Sequence, residues 1–496
     1  MSGLPILSIL VFVPLAGCLL LLPVWRRTAL ARPVVLAVAL VELALTVWLY
    51  ADWQGLAAQS TAIPGYMLTE DFSWIPAFGI RYTLALDGIS LLMVLLTALT
   101  FCTALLVSWN SITEKTGLFL ALMLIMESGI MGVFLALDLA LFYLFWEVML
   151  IPMFFLIGIW GHGRRVYSTV KFFLFTLAGS LLMLLAIIGL HLLHFRQSGT
   201  VTFSLPELLH TQIPPETQLW LFAGFFLAFA IKFPLFPLHT WLPDAHTDAP
   251  TAGSVVLAGL LLKTGSYGLI RFGYPLFPLA AQYFTPLFYT LAVIGIVYAS
   301  LVAFAQEDMK RLIAYSSIGH MGFVAIGIAT WKPVALSGAI LQMANHGVTT
   351  GALFCLAGML DERVHTRRIA DFGGLWDKVP LWSFFFLIFS VTSIGLPGLN
   401  SFVGEFLVLA GTMRKAPLVS VLAFIGVVLP LIYMFRLVQE VVFQQERRPL
   451  ELVDLNFREI SLLSVLLLLD VWVGVHPAPL LDLIHLPVQL LTGGVP

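Results

Sequence analysis

The chain of 496 residues is hydrophobic throughout, with 60% hydrophobic and only 10% charged residues. A soluble domain carries about 25% charged residues, so this composition excludes a water-soluble globular protein. The net charge of −2 gives no indication of a nucleic-acid partner. Cys18, Cys102 and Cys355 lie far apart inside apolar runs, which disfavours a metal site or a disulfide. The sequence has no GxGxxG or Walker motif, so nucleotide binding has no support.

Apolar runs that are long enough to cross a hydrocarbon core of about 30 Å as a helix recur along the whole sequence. They predict an all-α polytopic membrane protein with about fourteen transmembrane helices. The predicted spans cover residues 4–23, 30–51, 83–109, 116–136, 137–159, 168–194, 218–238, 250–272, 280–305, 309–329, 333–360, 380–412, 416–442 and 457–476. The first run has no basic segment before it, so we expect a retained span and not a signal peptide.

The basic residues support an N-terminus on the outer side of the membrane. Two of the 25 Lys and Arg residues fall within spans, and the other 23 lie in connections or at helix ends. With an external N-terminus, seventeen of them lie on the cytoplasmic side and six on the opposite side, as the positive-inside rule requires. The largest connection, residues 52–81, is expected to lie against the membrane surface. Because no connection is long enough for a domain, redox or nucleotide chemistry must belong to another chain.

Four ionisable side chains are predicted inside spans, where each costs about 2.5–3.5 kcal/mol on insertion scales. Glu147 lies in FYLFWEVMLIPMFF and Lys232 in LWLFAGFFLAFAIKFP, while Lys263 lies in VLAGLLLKTGSYGL and Glu405 in SIGLPGLNSFVGEFLVL. A buried Glu/Lys pair that forms and separates can switch the protonation of the next group, which is proton-relay chemistry. The alternative is a set of paired structural charges that hold helices together.

Two histidines in neighbouring spans add further steps to such a relay. His320 lies in LIAYSSIGHMGF, and His346 lies in LQMANHGVTTGALF. A neutral imidazole has one donor and one acceptor nitrogen, so it can pass on a proton without holding a net charge. The alternative is a pair of hydrogen-bonded core histidines.

Prolines predict breaks in two of the helices. Pro234 follows Lys232 closely, and Pro397 precedes Glu405 by eight residues. Broken helices beside buried ionisable residues, in corresponding places of two halves, are typical of inverted-repeat transporters. We therefore expect two inverted five-helix repeats with broken helices 7 and 12, although ordinary proline kinks are the alternative. The predicted layout is residues 1–115 (helices 1–3), 116–272 (first repeat), 273–442 (second repeat) and 443–496 (helix 14 and a short C-terminal tail).

A polar cluster follows the first break at the predicted cytoplasmic end. It contains His239, Asp244 and His246, with Asp248 beyond them. Two histidines with acids could suggest a metal site, but the intervening Pro243 favours a fixed loop geometry. We expect a proton entrance or a structural loop here, and no metal.

These segments resemble, in order, the antiporter-like membrane subunits of respiratory complex I. The resemblance extends from DGIS at Asp87 through FWE at Glu147, WLPDAHTDAPTAGSVVLAGLLLKTGSYG, DMKRLIAYSSIGHMGF and NHGVTTGALF to GLPGLNSFVGEF, and so covers most of the chain. Within that family, a glutamate at the place of Glu405 and a short C-terminus are typical of the subunit M branch, the counterpart of mitochondrial chain 4. The L and N branches carry a lysine at that place.

The resemblance implies a role for each candidate residue. Glu147 would be the carboxylate of helix 5, and Lys232 its lysine partner on broken helix 7. Lys263 would be the central lysine, from which His320 and His346 lead to the exit-side group. That last group would be Glu405, on broken helix 12.

The resemblance also implies a place in a larger assembly. The chain would translocate protons in the bacterial inner membrane, driven by quinone reduction elsewhere in NADH:quinone oxidoreductase. Flavin, iron–sulfur clusters and quinone would be held by partner subunits, and none by this chain. The partners would be the lipid bilayer and other membrane subunits, especially L and N.

Three alternatives remain open at this point. One is an Mrp-type cation/proton antiporter, and another is the same fold in a hydrogenase- or ferredoxin-linked complex. The third is a membrane scaffold whose buried charges only hold helices together.

Overall fold

The computed structural model describes residues 4–58, 61 and 63–493, and these are mostly helical. The helices are α1 (Ile6–Leu21), α2 (Thr28–Ala51), α3 (Trp53–Ala57), α4 (Gly88–Val107), α5 (Thr116–Leu135), α6 (Leu139–Trp160), α7 (Arg165–Ser198), α8 (Leu205–Leu208), α9 (Pro215–Lys232), α10 (Trp241–Asp248), α11 (Thr251–Val256), α12 (Leu262–Gly268), α13 (Tyr274–Leu276), α14 (Pro278–Phe304), α15 (Met309–Thr330), α16 (Pro333–Val364), α17 (Leu375–Lys378), α18 (Pro380–Ile394), α19 (Asn400–Met413), α20 (Pro417–Val438), α21 (Phe457–Val475) and α22 (Ala478–Thr492). Two π-helical segments, Leu257–Leu261 and Leu269–Gly273, join α11, α12 and α13 into one continuous helix.

Every predicted span coincides with a long helix or with a group of consecutive helices. Within the described residues, ten helices are by themselves long and apolar enough to cross a membrane. An eleventh is added if α21 and α22, which are bent by 69° relative to each other, count as one span. The α-helical membrane class is confirmed, whereas the number fourteen stays a prediction.

Connections that were assigned to the same side of the membrane meet in the structure. On the predicted cytoplasmic side, His162 N–H donates to the Asp248 carbonyl at 2.7 Å. On the opposite side, Leu139 N–H donates to the Phe203 carbonyl at 2.9 Å. The long helices between these connections, α6 and α7, therefore run in opposite directions, as the predicted topology requires.

A β-hairpin interrupts the all-helical pattern on the predicted outer side. Strands β1 (Leu68–Ile75) and β2 (Ile80–Leu86) pair antiparallel, from Leu68 opposite Leu86 to Ser73 opposite Arg81. The prediction of a helix from residue 83 was therefore wrong at its start. Helix α4 begins at Gly88 because the side chain of Asp87 accepts the Ser90 N–H at 2.8 Å and caps the first turn.

The hairpin also fixes the N-terminal helix. The carboxylate of Glu70 in β1 accepts the backbone N–H groups of Leu7 and Ser8 at 2.7 and 3.0 Å. These groups lie in the first turn of α1, where they have no partner inside the helix and where a negative charge is favourable. Nearby, the Arg81 guanidinium hydrogen-bonds Asp71 and holds the pKa of that carboxyl below its usual range. Residues 68–81 of the 52–81 connection thus belong to a hairpin, which the sequence analysis did not recognise.

Both predicted helix breaks are present. Helix α9 ends at Lys232 and α10 begins at Trp241, so Pro234 lies within the first break. Helix α18 ends at Ile394 and α19 begins at Asn400, so Pro397 lies within the second. Gly395 and Gly398 have φ values of +83° and +95°, a conformation that a glycine adopts without strain. Each break leaves the ends of two short helices inside the protein.

The C-terminal segment packs on the second break. A Cβ on Gly474 of α21 would lie 2.3 Å from the Gly398 carbonyl oxygen and 2.4 Å from the Leu399 Cα. Since these are backbone atoms, only a glycine allows so close an approach. The tail beyond residue 476, expected to be a short extension, forms helix α22.

Substitution of Gly474 tests this contact. We expect Gly474→Ala to destabilise the protein by about 1–3 kcal/mol, because the backbone of the break must shift to admit the methyl group. The measurement is the unfolding temperature of the detergent-solubilised protein. Gly158→Ala in α6 is the matched control, because its Cβ would meet Thr169 at an ordinary 3.6 Å. Equal unfolding temperatures for the two variants would contradict the close packing of α21.

Candidate functional site

Four of the six predicted relay residues lie in one buried line that crosses four helices. The Lys263 Nζ on α12 lies 2.6 Å from Nδ1 of His346 on α16. The rings of His346 and His320, which lies on α15, have centroids 5.9 Å apart. Nδ1 of His320 lies 2.8 Å from Oε1 of Glu405 on α19. None of the four residues exceeds 4% exposure, so the line is enclosed by protein.

The π-helical segment before Lys263 helps to place its ammonium group. Lys263 donates a second hydrogen bond to the carbonyl of Ala258, five residues earlier in the chain. A π-helix widens the turn and is frequent at functional sites in α-helices. A charged Lys263 can only donate, so in that state His346 accepts at Nδ1 and carries its proton on Nε2. The Nε2 atom is buried and has no hydrogen-bond partner among the described residues.

The other end of the line is held by polar groups from three helices. Glu405 Oε1 also accepts a hydrogen bond from Gln342 Nε2 at 3.0 Å. Nε2 of His320 lies 3.1 Å from the Ser393 hydroxyl, in the last turn of α18. Glu405 and Ser393 thus stand on opposite sides of the second helix break, and His320 bridges them. A movement of the break would change both contacts of this histidine.

Glu147 and Lys232 lie near each other but do not form an ion pair in this structure. Glu147 acts electrostatically on Lys232, yet no ion pair within 4.0 Å joins these two described residues. The Lys232 Nζ lies 5.4 Å from the ring centroid of Trp146 and 5.6 Å from that of Phe172. Cation–π attraction stabilises an ammonium group at this distance. The structure therefore contains the separated state of the predicted Glu/Lys switch.

The elements around this pair explain its placement. Asp138 caps α6 by accepting the N–H groups of Ala140 and Leu141 at 2.9 and 3.0 Å. This cap fixes the start of the helix that carries Glu147, which is itself half-buried. Lys232 is the last residue of α9, and the Trp241 indole donates across the break to the Ile231 carbonyl at 2.8 Å. Lys232 thus lies at the end of α9, and the hydrogen bond from Trp241 of α10 holds that helix end in place.

The predicted entrance residues each have separate surroundings. Asp244 is bound by Lys171 at 2.6 Å and lies 3.6 Å from Arg311. His239 stacks on Phe236.

His246 lies deeper in the protein than the other two entrance residues. Its ring stacks in parallel on Phe354 with centroids 4.6 Å apart, and it is fully buried. The charges that act on it are Lys310 and Lys263, so it lies between the cytoplasmic end of the protein and the buried line.

Sequence reasoning missed several buried ionisable residues. Lys310 was counted among the cytoplasmic connections, but it is 1% exposed and donates to the Ala249 carbonyl at 3.2 Å. Glu42, Glu127 and Asp470 are fully buried in α2, α5 and α21. A single acid within an apolar run was the signal in each of these three helices. The rule that identified Glu147 would have found them.

A polar vestibule opens on the predicted cytoplasmic side. Its volume is about 910 Å³. Residues of five connections and of the adjoining helix ends line it, among them His162, Lys310, Asp361 and Arg367. The pKa of His162, which lies in the connection between α6 and α7, is lowered by burial and by the Lys310 charge. Lys310 lines the vestibule and also acts electrostatically on the buried His246.

Comparison with known proteins supports the predicted family. Residues 136–430 match the family described as NADH:quinone oxidoreductase/Mrp antiporter, TM. The NADH-quinone oxidoreductase subunit M of Pseudomonas aeruginosa is 46% identical over 447 residues, which cover 89% of this chain and 88% of that protein. The subunit M of Escherichia coli K12 is 43% identical over 490 residues, or 96% of this chain and 95% of that one.

Solved structures share the whole fold. A chain of respiratory complex I from Thermus thermophilus with bound NADH matches with a TM-score of 0.86 and 33% identity, over 98% of this chain and 99% of that chain. A chain of the Mrp complex from Dietzia sp. matches with a TM-score of 0.85 but 19% identity, over 99% and 98% of the two chains. The second match concerns the fold alone. The resemblance to the subunit M branch is confirmed by the relatives, and the chain belongs to the family of membrane subunits shared by NADH:quinone oxidoreductases and Mrp antiporters.

Proposed function

We propose that this chain translocates protons as a membrane subunit of a respiratory NADH:quinone oxidoreductase. The observation that carries the proposal is the buried line Lys263–His346–His320–Glu405. Each member can bind and release a proton, and the members are joined by contacts of 2.6 and 2.8 Å and by one histidine–histidine gap. Polar groups buried in this way are costly in a membrane, which argues for a role in proton transfer.

The proposed path begins at the vestibule on the cytoplasmic side. Protons reach Lys310 there and pass His246 to Lys263. The entrance therefore consists of the vestibule and His246. Asp244 is held by ion pairs with Lys171 and Arg311, and His239 stacks on Phe236, so in this proposal both residues belong to the structure of the loop.

The Glu147–Lys232 pair is the proposed control element of the path. In the separated state, Lys232 is held between aromatic rings and Glu147 is free to accept a proton. When the two side chains meet, the lysine charge is paired with the glutamate, and the proposed control is the change between these two states.

The two halves of the chain have corresponding roles in this proposal. Residues 116–272 form the first inverted repeat and residues 273–442 the second, with residues 1–115 and 443–496 as flanking helices. The broken helix is the fourth long segment of each repeat, which supports the pairing of the two breaks. Glu405 beside the second break is the exit-side group.

The proposed setting is the bacterial inner membrane, with the N-terminus in the periplasm. The neighbours are other membrane subunits of the complex, especially the L and N types. Flavin, iron–sulfur clusters and quinone belong to partner subunits, which supply the driving energy. The named relatives, all bacterial NADH-quinone oxidoreductase subunits, support this setting.

Glu147→Gln in the intact complex tests the proposed function. The substitution keeps the size of the side chain but removes its ability to carry a proton, so NADH-driven proton pumping should be lost and coupled quinone reduction slowed. The measurement is acidification of inside-out membrane vesicles at matched complex content. Glu307→Gln is the control, because the Glu307 side chain is 83% exposed in a connection, and it should pump normally.

Normal pumping by Glu147→Gln would contradict the role of the pair. The second candidate, which the shared family and fold support, is an Mrp-type cation/proton antiporter. It predicts sodium-dependent proton exchange in the same vesicles without NADH. Loss of stability in Glu147→Gln but not in Glu307→Gln, with transport intact in both, would instead support a scaffold.

A further inference from the structure

Asp470 is a buried carboxyl group that the proposed path does not use. It lies in α21, in the run LLLLDVWVG, and its exposure is 0%. None of the ion pairs formed by the described residues includes it. A carboxylate in this environment needs hydrogen-bond donors or a proton.

The partners of Asp470 come from the second helix break and from the helix that carries His346. Asn400, the first residue of α19, donates through its Nδ2 to Asp470 Oδ1. The Thr349 hydroxyl of α16 lies 3.3 Å from both Asp470 oxygens. Gly474, one turn beyond Asp470, packs on the backbone of the break. The carboxyl group is therefore held against the break by α21.

The hydrogen-bond count of this network leaves room for one more proton. The Thr349 hydroxyl also lies 3.1 Å from Asn400 Oδ1, but it has a single proton to donate. If Asp470 is charged, Thr349 donates to it. If Asp470 is protonated, its new O–H can donate to the Thr349 oxygen, and Thr349 then donates to Asn400. Both protonation states are thus satisfied by the same heavy-atom positions.

The network adjoins the buried line at His346. Thr349 follows His346 by three residues on α16, so the two side chains are neighbours on one face of the helix. Asn345, which precedes His346, donates through Nδ2 to the Asn400 carbonyl at 2.7 Å. Asn400 thus receives hydrogen bonds from residues on both sides of His346. Nε2 of His346 has no hydrogen-bond partner among the described residues, so it and the Thr349 hydroxyl must approach each other for a proton to pass between them.

We propose that Asp470 is an additional proton-carrying residue, which exchanges a proton with the His346 end of the relay through the Thr349 hydroxyl. In that step the Thr349 O–H bond breaks as an Asp470 O–H bond forms, and Thr349 regains a proton from the His346 side; no electrons are transferred. The inference rests on the proposed function, because it adds a branch to that path. A proton on Asp470 also turns the Thr349 hydrogen bond toward Asn400. Asn400 is the first residue of α19, the helix that carries Glu405.

Asp470→Asn in the intact complex tests this inference. The amide retains the shape and can still accept from Asn400, but it cannot take up a proton. We expect NADH-driven acidification of inside-out vesicles to fall about tenfold, which corresponds to about 1.4 kcal/mol in the barrier of the step. The matched control is Asp482→Asn in α22, where the side chain is exposed; this variant should pump at the wild-type rate.

A spectroscopic measurement separates proton uptake from a structural role. Redox-induced infrared difference spectra of the complex should contain a carbonyl band from a protonated carboxyl group, which Asp470→Asn removes and Asp482→Asn retains. Slow pumping with this band intact would make Asp470 a structural anchor of the break and would overturn the inference. Normal pumping would overturn it as well.

Thr349→Val provides a second variant that is independent of the carboxyl group. It keeps the shape of the side chain but removes the hydroxyl, so it should slow pumping severalfold and weaken the infrared band. An unchanged rate and band would overturn the proposed route. Glu147→Gln is measured in the same experiment. If Glu147→Gln pumps normally, the proposed function fails. If Glu147→Gln does not pump but Asp470→Asn pumps normally, only the Asp470 branch is refuted.

Discussion

The cost of placing ionisable groups inside apolar helices governs the central part of this protein. Such a group requires a partner, because a bare charge in a membrane costs several kcal/mol. Lys263 meets that requirement with a histidine and with a carbonyl of a π-helical segment, and Glu405 with a histidine and an amide. Apart from the Ala258 carbonyl, which belongs to the same continuous helix as Lys263, the partners come from other helices, so these contacts also help to fix the packing of one helix on another.

The two helix breaks follow from the same requirement. A break exposes backbone groups that only protein or water can satisfy inside a membrane, and here each break lies beside a buried charge. At the first break, the Trp241 indole donates to the carbonyl of Ile231. At the second, α21 approaches through Gly474, and Asn400 and Asp470 supply polar contacts. Helix α21 therefore packs directly on the second break, although it lies outside both proposed repeats.

Much of this could be predicted from the sequence, because long apolar runs and single charges within them are local signals. Glu147, Lys232, Lys263 and Glu405 stand out for this reason, and so do the prolines of the breaks. The hairpin of residues 68–86 was missed because β1 lies in a connection and the apolar end of β2 continues into the apolar run of α4. Lys310 was assigned to the surface because it is near a helix end, and only tertiary packing buries it. The separation of Glu147 from Lys232 depends on the ring positions of Trp146 and Phe172, which no spacing rule supplies.

The contact between Lys263 and His346 is the most direct point at which to test the account, because it joins the entrance to the exit half of the line. The decisive measurement is NADH-driven acidification of inside-out vesicles that contain the complex with Lys263→Gln, at matched complex content. The glutamine can still hydrogen-bond to His346 but cannot carry a proton, so the account predicts that acidification is abolished while the complex assembles. Acidification at the wild-type rate would contradict the central claim that protons pass through this buried line.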